Sequence, residues 1–418
     1  MSSAFRIQIR HHPIVIIKGD GIGPELVDAS LVVLGAVERQ SGDFKLDLDF
    51  HEGGAALYQR TGTNLARETL QAIKGADAAM KGPVGLPEVR FPDGTEAGVL
   101  GGVLRMGLDT YSNDRPIRLL PGVQAPIKAE PGEIDYVIVR ENTEGMYLAR
   151  GKGVGNDDAM ADTMLITRKG TDRIARHAFE LARARGGSPS DGTRRVTCVD
   201  KSNVLASMAF FRWVFDEVAE EYPDIEREYL YSDAAAQALV MRPQHFDVLV
   251  MENFLGDMLS DLGGGTIGGV GLCPSGNVGD EHAYFEPIHG SAPDIAEQDK
   301  ANPISQILTL GLMLDHIGER GGGGSGSCGG LHRAGLRGDA VESAGPAAWR
   351  HSGCCGSNRS GGSRGVALSD HSVSDSLLCP FAGADVLKDF RQYERDVLFR
   401  YLNHGHFVWL KEINHPFD

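Results

Sequence analysis

Short β-branched runs alternate with segments of helical periodicity along most of the chain. The run IVII at residues 14–17 is followed by the turn GDGIGPE and then by LVDASLVVLGAV, whose apolar positions recur at helical spacing. Similar alternation recurs at ADAAMKGPVG, at YVIVRENTEG, at RVTCVDKSNVLASMAFFRWVFDEVAEEY and at FDVLVMENFLGDMLSDL. Strands that alternate with helices predict an α/β sandwich.

This alternation stops after Arg320. Residues 321–365 are rich in Gly, Ser and Arg and have little apolar periodicity. Because such a segment buries too little apolar surface to offset its ordering entropy, we expect residues 321–380 to be disordered. Near the end, VLKDFRQYERDVLFRYL again has helical spacing and good helix formers. Residues 321–418 therefore form an atypical tail, which is a frame shift, a fusion or a genuine extension.

Composition narrows the class of protein. The chain has 418 residues, 41% of them hydrophobic and 23% charged, which predicts a globular protein of two domains. Its formal charge of −16 argues against a nucleic-acid partner, since phosphate-backbone binding needs clustered Lys and Arg. We expect a cytoplasmic protein without a membrane partner, because there is neither a signal-peptide pattern nor an apolar run of roughly 18 residues. No CxxC spacing supports a disulfide framework or a zinc site.

The motif NFLGDMLSDL places Asp257 and Asp261 four residues apart on a predicted helix, and therefore on one face. A solvated acidic face is the ordinary interpretation of this spacing. The apolar and Gly-rich sequence on both sides favours a cleft instead. A divalent cation such as Mg²⁺ would relieve the repulsion between the two carboxylates.

Two Gly-containing segments are candidate ligand loops. GDGIGPE, residues 19–25, does not fit the dinucleotide fingerprint GxGxxG, so a tight structural turn is an equal alternative. FEPIHGSAPDIA, residues 285–296, surrounds His289 with small residues and prolines and suits a nucleotide; the alternative is a surface loop. Asp294 in this loop could accept hydrogen bonds from ribose hydroxyls and would repel a 2′-phosphate.

Four basic residues are candidates for substrate chemistry. Arg105, Arg115 and Arg140 stand in apolar or aromatic settings, where each could pair with a structural carboxylate. Together they suit bidentate recognition of a substrate with two or three carboxylates. Lys201 follows a β-run and precedes a helix, where a surface lysine is the alternative to a catalytic base.

The motifs KGDGIGPE, RENTEGMY, VDKSNVL, YSDAAA, NFLGDMLSDL and FEPIHGSAPDIAEQDKANP occur in an order that resembles the isocitrate and 3-isopropylmalate dehydrogenase family of β-decarboxylating dehydrogenases. The resemblance covers about residues 13–318. It implies an α/β fold of two domains that is not a Rossmann fold. Residues 1–110 and 262–320 would form a discontinuous nucleotide-binding domain, and residues 111–261 a substrate and dimerisation domain.

The resemblance also implies roles for residues at matching positions. The three arginines would bind substrate carboxylates, Tyr147 would be the acid, and Lys201 the base assisted by Asp233. Asp233, Asp257 and Asp261 would hold Mg²⁺ or Mn²⁺, with Lys201 and Asp233 supplied across the interface of a homodimer. The residues implied to bind NAD are Asn203, Glu286, His289, Gly290, Ser291, Ala292, Asp294 and Asn302.

The implied reaction oxidises and decarboxylates a 2-hydroxy di- or tricarboxylic acid. Lys201 takes the hydroxyl proton as hydride passes to the nicotinamide, and Tyr147 protonates the enol that remains after CO₂ leaves. Asp294 stands where NADP-dependent relatives carry a basic residue, which indicates NAD.

The substrate stays open at this stage. In the family, isocitrate enzymes place Ser and Asn before the first arginine and isopropylmalate enzymes a pair of Leu, whereas this chain has Val99, Gly101 and Gly102. We rank 3-isopropylmalate or isocitrate first, with tartrate, D-malate or homoisocitrate as alternatives. A non-catalytic regulatory subunit and an inactive product with a defective carboxyl-terminal end are the alternatives from other classes. Glu297 occupies a position in the loop where the family usually has Gly.

Overall fold

The computed structural model describes residues 9–92, 94–149 and 153–320, all of which belong to one compact unit of the chain. The disorder predicted for 321–380 and the helical pattern predicted near the end of the chain lie outside the described residues. Within the described ranges, no helix is long and apolar enough to cross a membrane.

The predicted alternation of strands and helices is confirmed, beginning with a strand that contains the IVII run and a helix after the GDGIGPE turn. The strands are β1 (Arg10–Ile17), β2 (Phe44–His51), β3 (Ala78–Lys81), β4 (Ser112–Arg118), β5 (Asp135–Glu141), β6 (Val154–Gly155), β7 (Met160–Ala161), β8 (Arg195–Asp200), β9 (Glu226–Tyr231), β10 (Val248–Met251), β11 (Pro274–Val278) and β12 (Ala283–Pro287). The helices are α1 (Gly23–Ser41), α2 (Ala55–Thr61), α3 (Arg67–Gly75), α4 (Gly101–Leu108), α5 (Arg168–Ala184), α6 (Ala206–Ala219), α7 (Ser232–Met241), α8 (Asn253–Thr266) and α9 (Ile304–Arg320).

One ten-stranded sheet runs through the described residues in the order β2-β1-β3-β12-β11-β4-β5-β10-β8-β9. The strands β2, β1, β3 and β12 are parallel to one another, and so are β5, β10, β8 and β9. Antiparallel pairings of β11 with β12, β11 with β4 and β4 with β5 join the two halves. This order differs from that of a Rossmann fold. The sheet continues through both predicted domains, whose boundaries stay a prediction.

Each face of the sheet packs against one layer of helices, with one pair of helices on each half of the sheet. On one face, α1 and α9 cover the β1 half, and α5 and α6 cover the β5 half. On the opposite face, α3 and α4 cover the β1 half, and α7 and α8 cover the β5 half. Paired strand residues share a face, so Arg140, Asn113, Asn277 and Tyr284 form a polar row across the join on this second face. The row leads from the α8 side of the sheet to the α4 side.

Candidate active site

Arg140 on β5 is buried against the start of helix α8. Its Nε and Nη2 donate to Asn253 Oδ1 at 3.0 and 2.8 Å, and its Nη1 is ion-paired with Asp257. The side chain is 2% exposed, so these contacts are shielded from water. The charge of Arg140 is therefore compensated by Asp257 of α8, while Asn253, one helical turn earlier, accepts its other hydrogen bonds.

Arg115 on β4 contacts the same helix from the neighbouring strand. Its Nε donates to Asn113 Oδ1 at 2.6 Å, and its Nη1 donates to Ser260 Oγ at 2.5 Å. The same Nη1 lies 3.3 Å from Asp257 Oδ1 and 3.7 Å from Asp261 Oδ1. The predicted placement of the two aspartates on one face of a helix is confirmed.

Arg105 approaches from α4, on the other side of the polar row. Its Cζ lies 3.4 Å from the position that a Cβ on Gly101 would occupy, so the side chain lies along the bare surface of that glycine. Burial first, and neighbouring arginines in addition, lower the pKa values of Arg115 and Arg140. The three predicted arginines therefore lie close together. We call Arg105, Arg115, Arg140, Asp257 and Asp261 the arginine–aspartate cluster.

The cluster is charged at neutral pH, although its members are buried unequally. The pKa of Arg140 falls to about 9, which still leaves its guanidinium protonated at neutral pH. Burial raises the pKa of Asp257, but Arg140 and Arg115 more than offset this and leave it below the ordinary value. Burial raises the pKa of Asp261, Arg115 offsets this only in part, and Asp257 raises it further. Asp261 is thus the carboxylate whose negative charge is less well compensated.

Tyr147 contacts the cluster from a short 3-10 helix, Met146–Ala149. Its hydroxyl donates to Asp257 Oδ2 at 3.1 Å, and its ring packs edge-on against Phe254 with centroids 5.9 Å apart. Burial and the charge of Asp257 raise the pKa of Tyr147. The phenol therefore keeps its proton at neutral pH, as a general acid requires.

The carboxylates of Asp257 and Asp261 fit a divalent cation by their donor chemistry. Mg²⁺ and Mn²⁺ take oxygen ligands, and Mg²⁺ is usually held by one or two carboxylates together with oxygens of the substrate. In the described ranges, no group of three or more His, Cys, Asp or Glu side chains could hold a metal ion. A cation here would need further ligands beyond the two carboxylates.

Lys201 and Asp233 form a separate pair. Lys201 follows β8, Asp233 lies in the first turn of α7, and their side chains are ion-paired. The Lys201 ammonium lies 5.6 Å from the ring centroid of Tyr231. The hydrogen bond from Lys201 lowers the pKa of Asp233. Among the described residues, this pair has neither a hydrogen bond nor an ion pair to the arginine–aspartate cluster.

The loop between β12 and α9, residues 288–303, packs against the GDGIGPE turn. Ile22 N donates to Ser291 O at 2.8 Å, and Ser291 Oγ donates to Gly85 O. Gly21 has a φ of +56°, and a Cβ there would lie 2.1 Å from Ser291 O. Only glycine permits this close approach, so the two Gly-containing segments form one structural unit.

His289 lies in the β12–α9 loop, and Glu286 lies just before it on β12, where its surroundings are different. His289 Nδ1 lies 2.9 Å from Gly290 O, while its Nε2 is buried without a partner in the described structure. Burial lowers the pKa of His289 and favours the neutral ring. Glu286 is ion-paired with Lys81 at 2.5 Å and accepts a hydrogen bond from Asn277 at 3.0 Å. Glu286 is thus anchored, whereas the His289 ring has a nitrogen available to a ligand.

The other residues predicted to bind the nucleotide are less enclosed. Asp294 is exposed in a short 3-10 helix, Pro293–Ile295, directly after Ala292. Asn302 Oδ1 accepts a hydrogen bond from Ile304 N at 3.0 Å at the start of α9. Asn203 is exposed between β8 and α6, outside the β12–α9 loop. The assignment of these residues to NAD stays a prediction.

Three residues that hold the arginines were missed at the sequence level. Asn253 and Ser260 lie on α8 with Asp257, and the spacing of Asn253 four residues before Asp257 is a signal that could have identified it. Asn113 precedes Arg115 by two residues on β4, so both side chains point to one face.

Comparisons with known proteins identify a family that the chain resembles over most of its described length. The model of the isocitrate/isopropylmalate dehydrogenase family matches residues 13–322. The 3-isopropylmalate/3-methylmalate dehydrogenase of Methanocaldococcus jannaschii is 44% identical over 309 residues, which cover 74% of this chain and 86% of the relative. The 3-isopropylmalate dehydrogenase of Streptomyces griseus is 41% identical over 313 residues, which cover 73% and 87%. The crystal structure of isocitrate dehydrogenase from Methylococcus capsulatus matches with a TM-score of 0.65 and 38% identity, covering 74% of this chain and 86% of that one.

Proposed function

Since this chain belongs to the isocitrate/isopropylmalate dehydrogenase family, we propose that it oxidises and decarboxylates a 2-hydroxy di- or tricarboxylic acid with NAD and a divalent cation. Family membership makes it a decarboxylating dehydrogenase, an oxidoreductase acting on the CH–OH group of its donor. The first candidate substrates are 3-isopropylmalate and isocitrate, which the names of its relatives mention. Tartrate, D-malate and homoisocitrate are the alternatives.

The proposal rests on the meeting of two guanidinium groups, those of Arg115 and Arg140, at Asp257. Asp257 also accepts a hydrogen bond from the hydroxyl of Tyr147. Guanidinium groups bind carboxylates in a planar, bidentate manner, so the same donors suit carboxylates of a substrate. They also provide local positive charge in a protein whose formal charge is −16.

Each proposed catalytic step has a residue of the chain to perform it. The arginines orient the substrate through its carboxylates. Lys201 Nζ first passes a proton to Asp233 and then, as the neutral amine, receives the proton of the substrate hydroxyl, while Tyr147 Oη delivers a proton to the carbon that loses CO₂. Asp257 and Asp261, together with Asp233 of a second copy, would hold Mg²⁺ or Mn²⁺. When bound, the cation stabilises negative charge on substrate oxygens, and the nicotinamide accepts the hydride.

The charge of the β12–α9 loop supports NAD rather than NADP. Asp294 is exposed there, and Glu297 and Asp299 follow it. Burial, and then the charges of Asp299 and Glu297, raise the pKa of Glu25 in the adjoining turn. A 2′-phosphate would meet these carboxylates unfavourably. For Asp294→Ala we expect the ratio of kcat/KM for NAD to that for NADP to fall about tenfold.

A homodimer with shared active sites is part of the proposal. Met241 at the end of α7, Met258 on α8 and Trp213 on α6 are all more than half exposed, as are Val154 and Met160 of the β6–β7 hairpin. Exposed apolar side chains are typical of an interface, and those of α7 and α8 lie on neighbouring helices, whereas Trp213 lies on the opposite face of the sheet. The pairing of Lys201 with Asp233, away from Tyr147, fits a site that is completed by a second copy.

The proposal is tested by the formation of NADH from a panel of isocitrate, 3-isopropylmalate, homoisocitrate, D-malate and tartrate. Each acid is supplied with NAD or NADP, with Mg²⁺ or with a chelator. We expect one substrate to give NADH that requires the metal. A folded protein that binds one of these acids without turnover would instead support the regulatory-subunit alternative.

Shared active sites are tested by complementation. Lys201→Met and Asp257→Asn are each expected to be inactive, because each removes one half of the site. If the subunits are mixed by unfolding and refolding together, roughly a quarter of wild-type activity should return, since half of the dimers are mixed and each contains one intact site. No recovery from folded, mixed dimers would contradict the sharing of sites.

A further inference from the structure

The hydroxyl of Tyr284 is buried without a partner. Tyr284 lies on β12, is 1% exposed, and packs beneath α4 against Leu100, Leu104 and Leu108. Its Oη has no hydrogen-bond partner in the described structure. Burial of an unpaired hydroxyl is unfavourable, and a phenylalanine would provide the same ring without that cost. Packing therefore explains the ring of Tyr284 and leaves its hydroxyl unexplained.

Two charged groups act on this hydroxyl, Glu286 and Arg105 of the arginine–aspartate cluster. Arg105 Nε is likewise buried without a partner among the described residues. Burial lowers the pKa of Arg105, but Tyr284 and then Glu286 raise it above its ordinary value. Burial and Glu286 raise the pKa of Tyr284, against the effect of Arg105. The two side chains therefore lie within reach of each other, although neither Arg105 Nε nor Tyr284 Oη makes a hydrogen bond of good geometry in the described structure.

Glu286 supplies the acceptor for the proton of the hydroxyl. It stands two residues after Tyr284 on β12, and therefore on the same face of the sheet. Lys81 and Asn277 hold its two carboxylate oxygens, which fixes the group beneath the cluster. Tyr284 can therefore accept from Arg105 Nε–H and donate to Glu286, and so connect the arginine to an anchored carboxylate.

We propose that Tyr284 is a positioning residue for Arg105, whose hydroxyl accepts from Arg105 Nε and donates to Glu286 so that the two Nη groups face the substrate carboxylate. The contact closes when the substrate draws the guanidinium into place, since hydrogen bonds of an active site are often long before ligand binding. This inference rests on the proposed function and adds to it a residue that orients Arg105 without touching the substrate.

The test compares Tyr284→Phe with Tyr136→Phe. Tyr136 is a matched control, because it is 0% exposed, has an unpartnered hydroxyl, and packs in the other apolar cluster of the same face. Tyr284→Phe should raise the KM for the hydroxy acid about tenfold, with kcat and the KM for NAD changed by less than about twofold. Its thermal midpoint should not fall, since the hydroxyl removed has no partner in the free protein. Tyr136→Phe should change none of these quantities.

A double-mutant cycle with Arg105→Lys sharpens the test, because lysine lacks the Nε–H. In the Arg105→Lys background, Tyr284→Phe should have no further effect on the KM of the acid. An unchanged KM in an active Tyr284→Phe enzyme would overturn the inference and leave the proposed function intact. A lower thermal midpoint of Tyr284→Phe together with a loss of kcat would show that the hydroxyl has a structural role and would overturn the inference. An equal rise in KM for Tyr136→Phe would overturn it as well. A wild-type protein that neither turns over nor binds any acid of the panel in calorimetry would overturn both proposals.

Discussion

The arginine–aspartate cluster and the β12–α9 loop are built by different means. In the cluster, side chains from β4, β5 and α8 hold one another through ion pairs and hydrogen bonds of the buried Arg115 and Arg140. In the loop, the contacts are mainly those of the backbone, and three non-glycine residues have a positive φ: Ala292 at 36°, Glu297 at 59° and Asp299 at 53°. The cluster depends on charge compensation, whereas the loop depends on backbone conformation.

This difference indicates how each region should respond to substitution. Removal of one charge in the cluster leaves its partner buried and uncompensated, so stability and substrate binding change together. Changes of side chain in the loop should mainly alter local strain and nucleotide preference. Four substitutions separate these two kinds of response.

Arg140→Met should give the largest effect. It leaves Asp257 and Asn253 without their main donor, and breaking a buried charge pair costs about 3–5 kcal/mol. We expect kcat/KM for the hydroxy acid to fall by about 1000-fold or more, with a lower thermal midpoint. Arg60→Met, which removes an exposed arginine paired with Glu52, is the control and should change neither quantity. An Arg140→Met enzyme with nearly normal kcat/KM would contradict the role given to the cluster.

Asp257→Asn and Asp261→Asn should have opposite effects on stability. The pKa of Asp257 is lowered in the folded state, so ionised Asp257 stabilises the fold. This contribution to the free energy of unfolding is fully present above the ordinary pKa of 3.8 and is lost as pH falls through the lower folded pKa. The pKa of Asp261 is raised, so its ionisation destabilises the fold as pH rises through the ordinary value to the folded one.

Urea unfolding from about pH 3 to about pH 7 measures this difference. At neutral pH, Asp257→Asn should be less stable than the wild type and Asp261→Asn more stable, and both differences should shrink toward the acidic end. Both substitutions should lower metal-dependent kcat by about 100-fold or more. Equal shifts of the same sign would contradict the charge compensation described for the cluster.

Glu297→Gly should give the smallest effect. Glu297 has a φ of 59°, which favours glycine, and relief of this strain should stabilise the fold by about 0.5 kcal/mol after the greater freedom of unfolded glycine is subtracted. The KM for NAD should stay within about twofold. Gln298→Gly is the matched control, because Gln298 lies between Glu297 and Asp299 but is not itself in the left-handed region, so a glycine there should gain nothing. Denaturant midpoints of the two variants measure the difference.

The two regions also differ in what the sequence could predict. The helical spacing of NFLGDMLSDL was enough to place Asp257 and Asp261 on one face, because periodicity is a local property. The grouping of Arg105, Arg115 and Arg140 was predicted from their apolar or aromatic settings and from the family resemblance, not from local periodicity. Those residues lie on α4, β4 and β5, and their proximity depends on the order of strands in the sheet.

Lys81 and Tyr284 show where local patterns stop being informative. Both belong to short, buried strands in which neighbouring residues are apolar, so nothing in ADAAMKG or AYFEP indicates which polar group meets a partner across the sheet. Lys81 pairs with Glu286 only because β3 and β12 are adjacent, which is a consequence of the fold.

The most direct test of the central claim is to measure NADH and CO₂ together, from the acid that the substrate panel selects, with the wild type and with Asp257→Asn. We predict one CO₂ for each NADH in the wild type, with both products lost in the presence of a chelator and in Asp257→Asn. NADH without CO₂, or full turnover in Asp257→Asn, would contradict oxidative decarboxylation at the arginine–aspartate cluster.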